Sequence, residues 1–496
     1  MTSRLDRISQ QRQEKLDKLR VLGVNPYPNR FHRTHTAQQA VELLKQQEEG
    51  KTQDEKVIVA GRIMAIRRMG KASFADLRDG SGKIQLLFHA DQLDEKLQEV
   101  FKLLDIGDII GIEGSLLRTK TGEATVKATS FSLLTKSLQP LPEKWHGLSD
   151  VEIRYRQRYI DLISNPPVQE LFKTRSKVIA GIRQFLNQRG FTEVDTPVLQ
   201  PAAGGALAKP FVTHYHALDE DFCLRISLEL PLKRLIVGGL DKVYELGRVF
   251  RNEGIDSRHN PEFTLLESYE AYADYNDVMK MVEEMVSTVA QQVLGKTQLE
   301  FNGQTINLAP PWPRISLRDA VSQFSGIDFV KFPDADSLRS KMKTMNIAVD
   351  PKKNWARLVD DLIGTFVEPN LMQPTFLIDY PLSMSPLAKN KPGEERVVER
   401  FEGFAGGMEI ANAFTELNDP IEQRERFTEQ LQERLGEDEE RWTIDEDYLL
   451  ALEYGMPPTG GLGVGIDRLV MLFTNQSSIR EVILFPQLRE KPQEES

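Results

Sequence analysis

The stretch Val243–Tyr269, VYELGRVFRNEGIDSRHNPEFTLLESY, limits the possible folds more than any other part of this chain. It reads as two strands joined by a loop, because GIDSRHNPE is dense in turn formers and holds an Asn-Pro step. Side chains alternate across a strand, so every second residue shares a face. Counting by twos from Glu245 gives Gly247, Val249, Arg251 and Glu253; counting from Phe263 gives Leu265, Glu267 and Tyr269. If the strands pair with both sets on one side, a single sheet face carries an arginine, aromatic rings and several carboxylates. Such a face can hold a nucleotide and an amine together.

The chain has 496 residues, too many for one ordinary core, so two or three domains are expected. Its 40% hydrophobic and 28% charged residues fit a soluble globular protein. No apolar run reaches membrane-spanning length, and the N-terminus MTSRLDRISQQRQEKLDKLR has no apolar signal core. The expectation is a cytoplasmic protein without a membrane partner. One cysteine, Cys223, excludes an internal disulfide and a multi-cysteine zinc site, and the seven histidines form no HExxH pattern, so no zinc is expected. A net charge of −11 argues against nonspecific coating of nucleic acid. Even so, Arg62, Arg67, Arg68 and Lys71 form a local basic cluster that contains no acid. Such a cluster is equally the mark of a solvated loop.

Residues 1–55 read as an N-terminal helical segment, with an amphipathic helix over about the first twenty residues and another near Ala37–Gln47. Over 56–137 the pattern changes to short β-rich runs: VIVAGRIMAIRR, ASFADLRD, GKIQLLFH, DIIGIEGSLLRT and EATVKATSFSLL. Five strands with a helix after the third (Gln92–Leu104) predict an OB-fold β-barrel, whose open face commonly binds single-stranded nucleic acid. RRMGKASF falls at its first hairpin, and Phe74 either stacks on a base or fills the core. Residues 138–149 have linker composition. From 150 to 488 the chain is mixed α/β, with an amphipathic helix at 174–189 that presents Val178, Ile182, Phe185 and Leu186. Gly190 is its C-cap, and a strand ending at Thr196-Pro197 follows. A further helix is expected at 274–294 and a mostly helical insertion at about 316–366. The tail, 489–496, has a disordered composition.

The chain lacks GxxxxGK[ST], and GGLGVGIDRL does not match GxGxxG. Any phosphates must therefore be held by arginines. Arg251 is placed on the strand face, Arg258 and His259 in the adjacent loop, and Arg468 at the start of a helix after a glycine-rich strand. FEGFAGGMEIANAFTEL offers oxygen ligands of the kind magnesium takes, one or two carboxylates completed by phosphate and water. Gly406-Gly407 predicts a two-residue turn that pairs Ala405 with Met408 and sets Phe404 opposite Glu409. Glu402 then points with Glu409. Strict alternation puts Asn412 on the other face, and spacing does not place Glu416. Glu229, Glu267 and Glu416, with the Tyr269 hydroxyl, are candidates for a pocket that awaits a cation. Taken singly, each glutamate reads more readily as an ordinary surface residue. As a group they are expected to be buried without a protein cation among them, and so to reject anionic guests.

At these residues the chain resembles the class II aminoacyl-tRNA synthetases, and among them the bacterial lysyl-tRNA synthetases. Helix 174–190 with the strand to Pro197 is similar to motif 1, FRNEGIDSRHNPEFTLLE to motif 2, and GGLGVGIDRLVML to motif 3. The resemblance spans nearly the whole length. It implies an N-terminal OB-fold anticodon-binding domain followed by an α+β class II catalytic domain built on an antiparallel sheet. It implies a lysine–tRNA ligase that uses L-lysine, ATP and tRNA(Lys), needs Mg2+, and forms a homodimer through the motif 1 helix.

Carried over by position, the resemblance puts Arg251 on the ATP α-phosphate and the amino-acid carboxylate. Glu253 and His259 sit on ATP, Phe263 stacks on adenine, and Arg468 takes the other adenine face and the γ-phosphate. Glu402 and Glu409 match the magnesium pair. Gly205, Glu229, Glu267, Tyr269, Asn412 and Glu416 match the lysine pocket. Phe74, Gln85 and Glu123 match positions that read anticodon bases. Leu228, Pro231 and Lys209 depart from the usual Pro, Tyr and Arg of the family. Two alternatives are a non-catalytic RNA-binding or regulatory descendant of a synthetase, and an aspartyl or asparaginyl enzyme. The first is disfavoured by the presence of Arg251, Arg468, Glu402 and Glu409, and the second by the acidic pocket.

Overall fold

In a computed structural model of the chain, the described residues are 4–53, 55–70, 72–142, 148, 150–201, 204–205, 208–434 and 444–489. Lys71, part of the 138–149 linker and the tail beyond 489 therefore lie outside the described residues. The chain divides into two units, Met1–Ser149 and Asp150–Ser496.

In the first unit, helices Arg4–Val21 and Ala37–Glu48 precede a closed five-stranded barrel. Its strands are Lys56–Met69, Ala72–Arg78, Lys83–His89, Ile109–Arg118 and Ala124–Thr135; around the barrel the fifth lies between the third and the fourth. Helix Glu95–Leu103 follows the third strand, capped by the Asp94 side chain accepting from Leu97 N at 2.7 Å. Alternation sends Ala75, Leu77, Ile84, Leu86 and Phe88 into the core. It leaves Phe74 half-buried outside that core. Phe74 pairs with Leu87, and Gln85 lies two residues back on the same face. Gln85 accepts from the Thr125 hydroxyl at 3.0 Å, and that hydroxyl also donates to the Glu123 carbonyl at 3.1 Å. The basic cluster is largely committed to the protein. Arg62 donates to Gly107 O at 2.8 Å, Arg68 lies 5.7 Å from the Phe101 ring centre, and Arg67 lies 3.5 Å from Asp76.

In the second unit the stretch Val243–Tyr269 becomes the antiparallel pair Lys242–Phe250 and Glu262–Ala271, in register from Lys242 opposite Glu270 to Phe250 opposite Glu262. Glu245 faces Glu267, Gly247 faces Leu265 and Val249 faces Phe263, so the two alternating sets share one side. Arg251 and Glu253 lie just past the strand end, not within it. The pair sits in a nine-stranded sheet. From one edge its path runs Arg314–Ser316, Thr375–Pro381, Glu394–Ala405, Met408–Thr415, Thr459–Gly465, Glu262–Ala271, Lys242–Phe250 and Thr192–Glu193, with Asn390–Lys391 beside Glu394–Ala405. Pairing is antiparallel except at the two outer strands of this path.

Helices Pro166–Gln188, Tyr275–Leu294 and Ile466–Phe473 share one core with sheet residues Tyr244, Leu266, Ala411, Ala413, Leu462 and Val464. Val178, Ile182 and Leu186 are wholly buried in it, each worth roughly 1.5–3 kcal/mol. The apolar stripe of the motif 1 helix therefore packs within this chain. The helix begins at Pro166, earlier than 174, and the strand expected up to Pro197 shrinks to Thr192–Glu193. Helices Leu317–Ser325, Ala335–Thr344 and Trp355–Leu362 form the insertion. The opposite sheet face is left for the cavity. The alternation in TGGLGVG puts Leu462 and Val464 into the core and Gly461, Gly463 and Gly465 on the cavity side, where the missing side chains leave room.

Candidate active site

A cavity of about 590 Å³ opens on this second face. It brings together every site candidate named for the second unit: Gly205, Glu229, Arg251, Glu253, His259, Phe263, Glu267, Tyr269, Glu402, Glu409, Asn412, Glu416 and Arg468 all line it. Phe74, Gln85 and Glu123 belong to the other unit.

At one end, the loop after Phe250 is held by its own backbone and by Asp256. Arg251 N donates to Pro261 O at 2.8 Å. Asp256 accepts from the backbone of Arg258 and His259 at 2.6 and 2.8 Å and pairs with the His259 ring at 2.8 Å. The Arg251 guanidinium lies 5.2 Å from the Phe263 ring centre and donates to Ile226 O at 3.3 Å. Burial lowers its proton affinity, while Glu253, Glu409 and Glu267 oppose that. Arg468 donates to the carbonyl and the carboxylate of Glu409 at 2.9 and 3.0 Å, and its other nitrogen lies 3.3 Å from His259 Nε2.

The hairpin forms as its glycines require, Gly406 and Gly407 at φ +64° and +69°, with Ala405 opposite Met408 and Phe404 opposite Glu409. A bulge follows. Gly403 pairs with Ala411, so Ile410 is the extra residue and Glu402 lies directly opposite Asn412. That shift of one residue returns Asn412, and with it Phe414 and Glu416, to the cavity side. Strict alternation had put Asn412 on the other face, and the bulge corrects it. Glu402 and Glu409 both line the cavity, as the spacing required. Glu402 is not free, however: it accepts from Tyr380 OH at 2.8 Å and from Arg400 at 2.5 Å. Arg400 also donates to Asn412 at 3.1 Å, which ties the two cavity residues together. Burial pushes the Glu402 carboxyl up to about 7; Arg400 pulls it down and Glu409 pushes it further up.

At the other end lies the acidic cluster. Glu267 accepts from Ser227 Oγ, Leu228 N and Tyr269 OH, each at 2.9 Å. Among the described residues it forms no ion pair, and burial with neighbouring Glu229 pushes it up to about 7. Gly205, at φ +80°, lets the chain pass close by, since a Cβ there would meet Ser227 Oγ at 2.9 Å. Gly461 does the same for Glu416, because a Cβ would fall 1.8 Å from Glu416 Oε1.

The expectation of a cluster without a protein cation is overturned here. Lys233 is wholly buried, donates to Glu229 Oε1 at 2.5 Å and also pairs with Glu416. Burial alone would lower its proton affinity, but Glu229 and Glu416 outweigh that and keep it charged. One ammonium against three carboxylates leaves two negative charges in excess. Burial, and after it the neighbouring carboxylates, raise the proton affinities of Glu267 and Glu416, so the full excess develops only as both ionise. A guest with two ammonium groups matches it.

The comparisons with known proteins agree with this geometry. Residues 150–489 match the family described as tRNA synthetases class II (D, K and N), and residues 57–134 match the OB-fold nucleic acid binding domain. A lysine–tRNA ligase of Dehalococcoides mccartyi is 60% identical over 486 residues, 98% of each chain. One from Pelotomaculum thermopropionicum is 53% identical over 492 residues, 99% of this chain and 96% of the relative. One from Moorella thermoacetica is 51% identical over 480 residues, 97% of each. The chain belongs to the lysine–tRNA ligase family of class II tRNA synthetases.

Lysine–tRNA ligases are ATP-dependent enzymes, and the aspartyl and non-catalytic alternatives give way to that membership. Reading the sequence for a lysine–tRNA ligase overlooked Lys233, Arg400, Gly461 and Asp360. Lys233 had a signal, a Glu-to-Lys spacing of four on a helix whose other residues, Arg234 apart, are apolar. Arg400 had one too, two residues before Glu402 on the same strand face. Asp360 comes from the insertion, and no local pattern announces that it lines the cavity.

Proposed function

We propose that this cavity activates L-lysine with ATP and passes the lysyl group to the 3′-terminal adenosine of tRNA(Lys). The observation that carries the reading is the charge balance of Glu229, Glu267, Glu416 and Lys233, beside a half-buried arginine. The two ammonium groups of lysine offset the two excess negative charges, and its carboxylate turns towards Arg251. Charge-assisted hydrogen bonds of this kind contribute roughly 1.5–3 kcal/mol each.

In the first step a lysine carboxylate oxygen attacks the α-phosphorus of ATP, and the bond to the bridging oxygen breaks as pyrophosphate leaves. Arg251 holds the two reacting groups together and meets the charge that builds on the α-phosphate. Arg468, Glu253, His259 and Phe263 hold the rest of the nucleotide. In the second step the terminal ribose hydroxyl attacks the acyl carbon and AMP leaves. Positioning and electrostatics do most of the work.

Glu402 and Glu409 fit a magnesium ion: they line one wall, Glu409 adds to the raised proton affinity of Glu402, and they leave coordination positions for phosphate oxygens. Among the described residues no three acidic, histidine or cysteine side chains form a cage. Magnesium, when bound, neutralises charge on the phosphates. Phe74, Gln85 and Glu123 are proposed to meet anticodon bases on the barrel's outer face.

A homodimer in the cytoplasm completes the reading. Apolar side chains support it: Val198, Leu199, Val212, Tyr215 and Leu218, downstream of the motif 1 helix, are exposed. No helix among the described residues is long and apolar enough to cross a membrane. Amino-acid-dependent exchange of labelled pyrophosphate into ATP tests the proposal. Lysine should support exchange and aspartate should not; no exchange with lysine, or equal exchange with both, would reject it.

A further inference from the structure

We infer that Lys233 is a positioning residue that sets the charge of the amino-acid pocket, cancelling one of its three carboxylates so that the site matches a guest with two ammonium groups. This rests on the lysine reading above. Lys233 does not line the cavity, whereas Glu229, Glu267 and Glu416 do. It therefore acts through its partners and not by touching the guest.

Its enclosure is complete. The ammonium meets Glu229 from its own helix, Glu229–Val237, and Glu416 just past strand Met408–Thr415. The rings of Phe414, Tyr448 and Tyr269 lie 5.3, 5.9 and 6.0 Å from it. The titratable groups around it are thus Glu229, Glu416, Tyr448 and Tyr269, with Glu267 beyond and in range of Glu229 and Glu416. Lys233 takes up one oxygen of Glu416. That contact, at Oε2, is an ion pair; neither oxygen of Glu416 has a hydrogen-bond partner among the described residues, and Oε1 lies in the space that Gly461 leaves. An unpaired buried acceptor is costly until something donates to it. Without Lys233, three carboxylates would share one dry space with no ammonium to offset them, and the proton that Glu267 already takes up near pH 7 would be held to higher pH. A lysine guest would then have to displace that proton.

Lys233→Met keeps the length of the side chain and removes the charge. Pyrophosphate exchange is measured against lysine and against ATP from pH 6 to 9. The lysine KM at pH 7 is expected to rise about tenfold or more, with the ATP KM within about twofold. The acidic limb of kcat/KM for lysine should also move up by about one pH unit or more. Lys233→Arg keeps the charge and should leave that limb in place whatever its KM. A wild-type limb in Lys233→Met, or lysine and ATP KM values rising together, overturns the inference. Should Lys233→Met fail to fold, as a thermal melt would show, Lys233→Arg decides: a displaced limb overturns and an unmoved limb supports. Failure of the underlying reading looks different, because wild-type enzyme would then show no exchange with lysine at all.

Discussion

Lys233 and Glu416 are paired across the boundary of the cavity: the lysine lies behind the wall and the glutamate forms part of it. The protein thus already holds one lysine ammonium against the carboxylates expected to recognise another. The ion pair uses Oε2 of Glu416, and Oε1 meets no cation among the described residues. This division of one carboxylate between an internal cation and a guest makes the following outcomes specific.

Glu416→Gln should raise the lysine KM by more than about a hundredfold and the ATP KM by less than about threefold. Removing one partner of a buried charged pair costs about 3–5 kcal/mol, and here both the guest and Lys233 lose it. Steady-state pyrophosphate exchange with each substrate varied separately checks the split. Equal increases would mean that Glu416 does not meet the guest.

Lysine capture should strengthen as pH rises through 7. Glu267 is pushed up to about 7 by burial and by Glu229, so below that pH it carries a proton and cannot balance an ammonium. The sign follows from the raised value: the binding form is the ionised one, present above the shifted pKa and lost below it. At saturating ATP and magnesium, kcat/KM for lysine should fall about tenfold per pH unit below the limb. Glu267→Gln should flatten that limb.

Much of this site was legible in the chain, and the failures have physical causes. Alternation along Val243–Phe250 and Glu262–Tyr269 was enough to put Glu267, Tyr269 and Phe263 on one face, because both strands are regular and no residue is inserted between them. The Gly406-Gly407 turn likewise fixed Glu409 opposite Phe404. Asn412 and Glu416 could not be placed by counting, because Ile410 bulges and resets the alternation, and a bulge needs no special residue type. Lys233 escaped because a lysine four residues after a glutamate usually marks a solvated helix pair. Its burial depends on Phe414 and Tyr448, which are distant in sequence. The apolar stripe of the motif 1 helix was visible, but what it packs against was not; Val178 and Ile182 face the chain's own core.

Gly461→Ala should impair lysine use with little effect on the fold. A Cβ there falls 1.8 Å from Glu416 Oε1 and 2.6 Å from the Tyr269 ring, so both must shift. A 1 Å displacement of a positioning group can reduce the rate by about a hundredfold. The expected result is a raised lysine KM with an unchanged ATP KM and a melting temperature within a few degrees of wild type. An unaffected lysine KM would place the guest elsewhere.

Phe74→Ala should weaken tRNA charging and leave amino-acid activation untouched. Phe74 stands outside the barrel core, beside the face that carries Gln85 and Thr125. Loss of one aromatic stacking platform costs about 1–3 kcal/mol. The KM for tRNA in aminoacylation should rise about five- to a hundredfold, while pyrophosphate exchange stays within experimental error of wild type.

Norleucine keeps the length of the lysine side chain and lacks its second ammonium. The ratio of kcat/KM for lysine to that for norleucine in pyrophosphate exchange therefore weighs the unbalanced charge of the pocket directly. Leaving a buried carboxylate without its cation costs about 3–5 kcal/mol, so the ratio should reach roughly two to four orders of magnitude. A ratio near unity would mean that the glutamates around Lys233 are already neutral and that charge does not select the substrate.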